Sequence, residues 1–180
     1  MIQVSSNISL KVIEEADSDL LASLMKEVYP PAYAHFWKDN GAWYIETQYS
    51  NSAIKKDLKQ EKSDYYFIVY QGEIIGNFRV VWDQQLKDLA IAKQVKLHRI
   101  YLRPKAQGKV IGKTLLLWLE TKAKKEGYKA IWLDAMDEKQ QAFEFYKQQG
   151  FLYHSHIFLD FELMNDDVRK MSQLYKKLVF

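Results

Sequence analysis

Arg103-Pro104-Lys105-Ala106-Gln107-Gly108-Lys109-Val110-Ile111-Gly112-Lys113 lies between an apolar β-rich run and a long amphipathic stretch. Residues 95–102 before it read as a strand. Residues 109–126 after it repeat Ile111, Leu115, Leu116, Leu119 and Ala123 on one helical face, and Gly127 stands where a helix closes on a left-handed residue. A loop of small residues opening a helix presents unpaired N–H groups and the positive end of the helix dipole, and both attract phosphate. Glycine there lets the backbone approach the anion, and Lys105, Lys109 and Lys113 add positive charge. Taken alone, the same residues also suit a plain strand-to-helix turn followed by a solvated lysine face.

Working outward, residues 130–133 form a short apolar strand and residues 139–149 a helix closed by Gly150, with the last strands in 151–161 and 170–179. Upstream, residues 65–70 and 73–82 are strand runs joined by Gln71-Gly72, which predicts a hairpin. Residues 8–13 alternate as an opening strand. Leu20, Leu21, Leu24, Met25 and Val28 recur at helical spacing, in a helix expected to end at Pro30-Pro31. Residues 32–60 are aromatic and polar in turn and predict one or two short helices; residues 84–93 read as a loop. This order predicts an α/β chain with a mixed sheet and helices on its faces. No repeat or linker divides it, so residues 1–180 are expected to form one domain.

The composition is 48% hydrophobic and 27% charged with a formal net charge of +3, too mild for the strong basic stripe of a nucleic-acid binder. The absence of cysteine excludes disulfides, thiolate metal sites and cysteine nucleophiles. His154 and His156 lie two apart on a late strand, but no third metal ligand is suggested, so no metal site is expected. The first 15 residues lack a basic segment followed by an apolar run, and no apolar run approaches the roughly 20 residues that cross a bilayer. A cytoplasmic protein without membrane or nucleic-acid partners is the expectation. Apolar residues on the last strands would suit a homodimer.

Two segments carry a resemblance to a known family. Gln107–Gly112 resembles the Q/R-x-x-G-x-G/A signature that follows the fourth strand of GNAT N-acetyltransferases, with Val110 where the first glycine stands. At the matching distance, "DEKQQAFEFYKQQGF" resembles the family's N-x-x-A-x-x-F-Y-x-x-x-G-F segment, through Ala142, Phe145, Tyr146, Gly150 and Phe151, with Lys139 in place of the asparagine. Read without the family, Ala142, Phe145 and Tyr146 are also ordinary buried-face spacing. The element order loosely resembles the polyamine-acetylating members.

The resemblance implies a mostly antiparallel central sheet of about seven strands with helices on both faces, and acetyl-CoA as cosubstrate. It implies cofactor contacts from Gln107, Gly108, Lys109, Val110, Ile111, Gly112, Lys113 and Lys139. Backbone N–H groups of Ile100 and Leu102 would polarise the acetyl carbonyl. Tyr146 would protonate the departing sulfur. A strand carboxylate often serves as base in the family; His98 takes that place, with an ordinary pKa of about 6.5 suited to it. Asp134, Glu46 and His35 are reserves. The acceptor, a small-molecule or peptide amine, would meet aromatic walls at Tyr33, His35 and Trp37, with Asp134 nearby. Glu27, Asp39 and Glu46 are expected to attract a polycation. The alternative is a non-catalytic acyl-CoA sensor of the same fold.

Overall fold

In the computed structural model, which describes residues 1–179, Gln71 (φ 50°) and Gly72 (φ 85°) both take left-handed backbone. This is the two-residue turn whose twist suits antiparallel strands, and it joins β3 (Ser63–Tyr70) to β4 (Glu73–Trp82). The remaining strands are β1 (Ile2–Gln3), β2 (Ile8–Val12), β5 (Gln94–Leu102), β6 (Ala130–Met136), β7 (Leu152–Phe158) and β8 (Lys170–Lys177). They form one sheet of eight strands in the order β1-β2-β3-β4-β5-β6-β8-β7, antiparallel except for β5 beside β6. The strand beyond the seven expected is β1, two residues long.

Five α-helices cover the two faces: α1 (Ser18–Tyr33), α2 (Ala42–Tyr49), α3 (Asn51–Leu58), α4 (Ile111–Lys125) and α5 (Gln140–Gln148). Alternation along the strands divides the apolar residues. Tyr66, Ile68, Phe78 and Val80 pack against α4, whereas Tyr65 and Phe67 face the core built by α1, α2 and α3. No helix is long and apolar enough to cross a membrane among the described residues.

One boundary differs from the sequence expectation: α1 runs through Pro30 and Pro31 to Tyr33. Each proline removes one helical hydrogen bond. The carbonyls left without a helical donor belong to Lys26 and Glu27, both exposed residues on the solvent side of the helix.

Two irregularities shape the middle of the sheet. Register between β4 and β5 shifts so that Arg79 faces Arg99 while Val80 faces Leu97, which makes His98 an extra, bulged residue. The parallel pairing of β5 with β6 runs only from Gln94↔Ala130 to Leu97↔Leu133. Beyond those residues the strands part.

Candidate active site

The 103–113 loop forms a short 3₁₀ turn at Pro104–Ala106 and then reverses at Gly108. Gly108 has φ 72°, a conformation in which a side chain is strained. None of the N–H groups of residues 108–113 donates a hydrogen bond to the protein among the described residues; the helical ladder begins with Thr114 N–H to the Val110 carbonyl, 3.0 Å. A row of unpaired donors at a helix start fits a phosphate. Val110 sits at φ −67° with its side chain 69% exposed, so this position neither needs glycine nor closes the loop. Lys113 makes no ion pair among the described residues, and Lys109 lies only over the Tyr70 ring at 5.3 Å. Lys105 is held by Glu73 at 2.8 Å.

Gly112 plays a different part from Gly108. A Cβ there would meet the Phe145 ring at 3.3 Å, so Gly112 lets α4 approach α5 closely. We expect Gly112→Glu to raise the Kd for CoA at least about tenfold by calorimetry, by adding negative charge at the helix start and displacing Phe145. An unaltered Kd would show that CoA binds elsewhere.

The parting of β5 from β6 leaves backbone donors exposed. Arg103 N–H donates to the Ile75 carbonyl on β4 at 2.7 Å. Strand alternation then turns the N–H groups of Leu102 and Ile100 away from β4, toward the gap. The Gln107 side chain reaches the same edge, donating from Nε2 to the Leu102 carbonyl at 3.2 Å. Ile100, Leu102, Phe145 and Tyr146 all pack against the α4 core.

A cavity of about 290 Å³ opens on the far side of the gap. Tyr29, Tyr33, Tyr44 and Tyr101 line it, joined by Trp37 and by Phe161 from the β7–β8 connection. The rings brace one another: Tyr29 stacks on Tyr33 and Tyr44 at 5.0 and 4.6 Å, and Trp37 Nε1 donates to the Tyr29 hydroxyl at 2.8 Å. Tyr146 and Ala142 of α5 reach the cavity too. Burial pushes the Tyr146 phenol well above its usual range, with Tyr33 adding to the effect, and its hydroxyl makes no hydrogen bond to the protein among the described residues. The hydroxyl therefore keeps its proton at neutral pH and is free to donate it.

His98 lines the cavity as expected, but not with ordinary basicity. Burial, and then the charges of Arg99, Arg79 and Lys96, push its pKa down to about 2. Its Nδ1 is buried with no partner. The ring is thus neutral near pH 7, and its low proton affinity counts against His98 as a strong general base. Of the reserve residues, Asp134 lines the cavity but is clamped by Lys96 at 2.6 Å and receives Gln173 Nε2 at 3.2 Å. His35 sits outside the lining, half exposed and bound to Glu138 at 3.0 Å.

The chain matches the Acetyltransferase (GNAT) family over residues 22–151, most of its length. It belongs to the GNAT acetyltransferases. An uncharacterised N-acetyltransferase from the pepI 3′ region of Lactobacillus delbrueckii subsp. lactis is 24% identical over 177 residues, covering 94% of this chain and 98% of that one. A spermidine N(1)-acetyltransferase of Thermoplasma acidophilum is 28% identical over 149 residues, covering 81% and 88%. The crystal structure of the PaiA N-acetyltransferase from Thermoplasma acidophilum in complex with coenzyme A superposes with a TM-score of 0.71 at 20% identity, covering 94% and 98%.

This GNAT chain departs from two expectations of its own sequence. Lys139, expected at the cofactor, stands at the start of α5 with its Nζ over the Tyr33 and Phe36 rings at 5.1 and 5.6 Å and lines the aromatic cavity. Glu27, Asp39 and Glu46, expected to attract a polycation, do not line the cavity. Glu27 binds Arg103 at 2.8 Å, Asp39 accepts from the N–H groups of Gly41 and Trp43, and Glu46 faces a separate groove. His154 and His156 serve local contacts, to the Lys87 carbonyl and the Tyr153 hydroxyl.

Sequence reasoning missed Tyr101, Tyr44, Arg99, Phe161 and Met164. Arg99 and Tyr101 share a strand face with each other, and the bulge at His98 is what a pure alternation pattern cannot register. Phe161 and Met164 are brought over the cavity by Arg169, whose guanidinium donates to the carbonyls of Leu159, Phe161 and Met164 at 2.9–3.0 Å.

Proposed function

We propose that this GNAT chain transfers an acetyl group from acetyl-CoA to the primary amine of a small molecule by direct attack. The observation that carries the reading is the β5–β6 gap itself: it lies between a loop of free N–H donors and a cavity that holds a protonated, unpartnered Tyr146. Residues 108–113 bind the pyrophosphate. Ile100 and Leu102 N–H groups stabilise the oxygen of the thioester carbonyl as charge develops on it. The amine nitrogen bonds to the acetyl carbon, the carbon–sulfur bond breaks as Tyr146 gives its proton to the sulfur, and the proton that the nitrogen loses leaves to water, from which the Tyr146 phenolate is reprotonated.

The amine proton is handled by the field rather than by a strong base. Burial and the nearby cations, which together keep His98 unprotonated, also disfavour an ammonium bound beside it, so the acceptor reacts as the free amine. The unpartnered His98 Nδ1 accepts a hydrogen bond from that nitrogen and holds its lone pair toward the thioester. The spermidine acetyltransferase among the relatives supports a small-molecule amine as acceptor.

Amine-dependent thiol release from acetyl-CoA tests the reading; calorimetric binding of acetyl-CoA without release on any of a broad amine panel would instead favour a sensor. The pH profile gives a second check. A free-amine mechanism predicts kcat/KM rising with pH toward the acceptor's ammonium pKa, with no break near 6.5. His98→Gln should lower the rate while leaving the profile's shape unchanged. A wild-type break near 6.5 that His98→Gln abolishes would restore the histidine as base.

A further inference from the structure

We propose that the acceptor amine carries an anionic group, a carboxylate in the simplest case, and that Lys139 selects for it; this rests on the acetyltransferase reading above. The charged side chains lining the cavity are Arg99, Asp134 and Lys139. The one carboxylate is already neutralised by Lys96 at 2.6 Å. Arg99 shares Asp57 with Arg79, whose Nη1 lies 2.7 Å from the same carboxylate oxygen, so two buried guanidiniums are balanced by one negative charge. Among the described residues the carboxylate paired with Lys139 is that of Glu138, at 3.9 Å and beyond hydrogen-bond distance, while the other Glu138 oxygen lies 3.0 Å from His35 Nε2. The cavity wall is therefore net positive.

The ring faces argue the same way. An aromatic box holds an ammonium by presenting its faces to it. Here Tyr33 and Phe36 already face an ammonium, that of Lys139. A polycation entering the box meets like charge and must displace that lysine. An aminocarboxylate instead lays its methylenes on the rings and brings its carboxylate to Lys139 Nζ, while its amino group reaches the gap beside His98.

The test uses three amines of one chain length that end in a methyl, a carboxylate or an ammonium: pentylamine, δ-aminovalerate and cadaverine. For each, kcat/KM with acetyl-CoA and the Kd for the CoA-loaded protein are measured in wild type, Lys139→Met and Lys139→Glu, with circular dichroism confirming the fold. δ-Aminovalerate should be preferred over cadaverine by roughly tenfold to a hundredfold, the size of one charge-assisted contact. Lys139→Met should narrow the ratio and Lys139→Glu reverse it. A wild-type preference for cadaverine, or an order unmoved by Lys139→Glu, overturns the proposal. Binding in the expected order without turnover of any of the three supports the anion selectivity and counts against the catalytic reading alone.

Discussion

Replacing Tyr146 by phenylalanine is expected to lower kcat about a hundredfold or more, within the range for loss of a positioned general acid. The KM for acetyl-CoA should change little, because the ring that packs against Phe145 and Phe151 is retained. Thermal stability should be unaffected as well, since the hydroxyl has no hydrogen bond to the protein to lose. That combination separates a proton donor from a packed tyrosine. Burial keeps the phenol protonated well above neutrality, so the acid form is present wherever the enzyme is assayed. Steady-state kinetics with a calorimetric melting scan decide it; an unchanged kcat would remove Tyr146 from the chemistry.

Asp57→Ala is expected to cost about 3–5 kcal/mol of stability, the range for removing one partner of a buried ion pair. Arg79 and Arg99 are 1% and 8% exposed, and both depend on the Asp57 carboxylate. Without it, two guanidiniums face each other beneath the acceptor cavity. Ser63 and Gln60 still bond Arg79, at 3.2 and 2.6 Å, but they carry no charge. Adding Arg79→Met to Asp57→Ala should recover part of the loss by removing one of the stranded charges. Urea denaturation measures both, and equal stability of wild type and Asp57→Ala would show that water solvates the pair. The site would respond too: a stronger positive field beside the gap should weaken binding of any cationic amine further.

Those buried arginines mark the limit of what the sequence displayed. The loop at residues 103–113, the helix behind it and the Tyr146 segment were legible because each is local: turn glycine, apolar spacing and motif lie within a few residues. The 71–72 hairpin was readable for the same reason. What could not be read was set by register. Whether His98, Arg99 and Tyr101 face the cavity depends on a one-residue bulge against β4, and alternation alone places residues only up to such a slip. Lys139 was assigned to the cofactor because the matching family position suggested it; its direction was fixed instead by the rings of Tyr33 and Phe36, more than a hundred residues away. The basicity of His98 could not be read locally for a related reason, since it is set first by burial and then by charges from β4 and β5 together. Pro30 and Pro31 erred in the opposite direction. Their local rule was sound, but the residues of the preceding turn that lose a donor, Lys26 and Glu27, are exposed, so the helix continues at little cost.

The central claim is that the β5–β6 gap and the loop behind it are where the acyl donor sits. Amide-resolved NMR during a CoA titration tests this residue by residue. The predicted result is large, saturable shifts for the N–H groups of residues 108–113 and of Ile100 and Leu102, with β1 and β7 unmoved. Saturable CoA binding that leaves those amides unshifted would contradict the account.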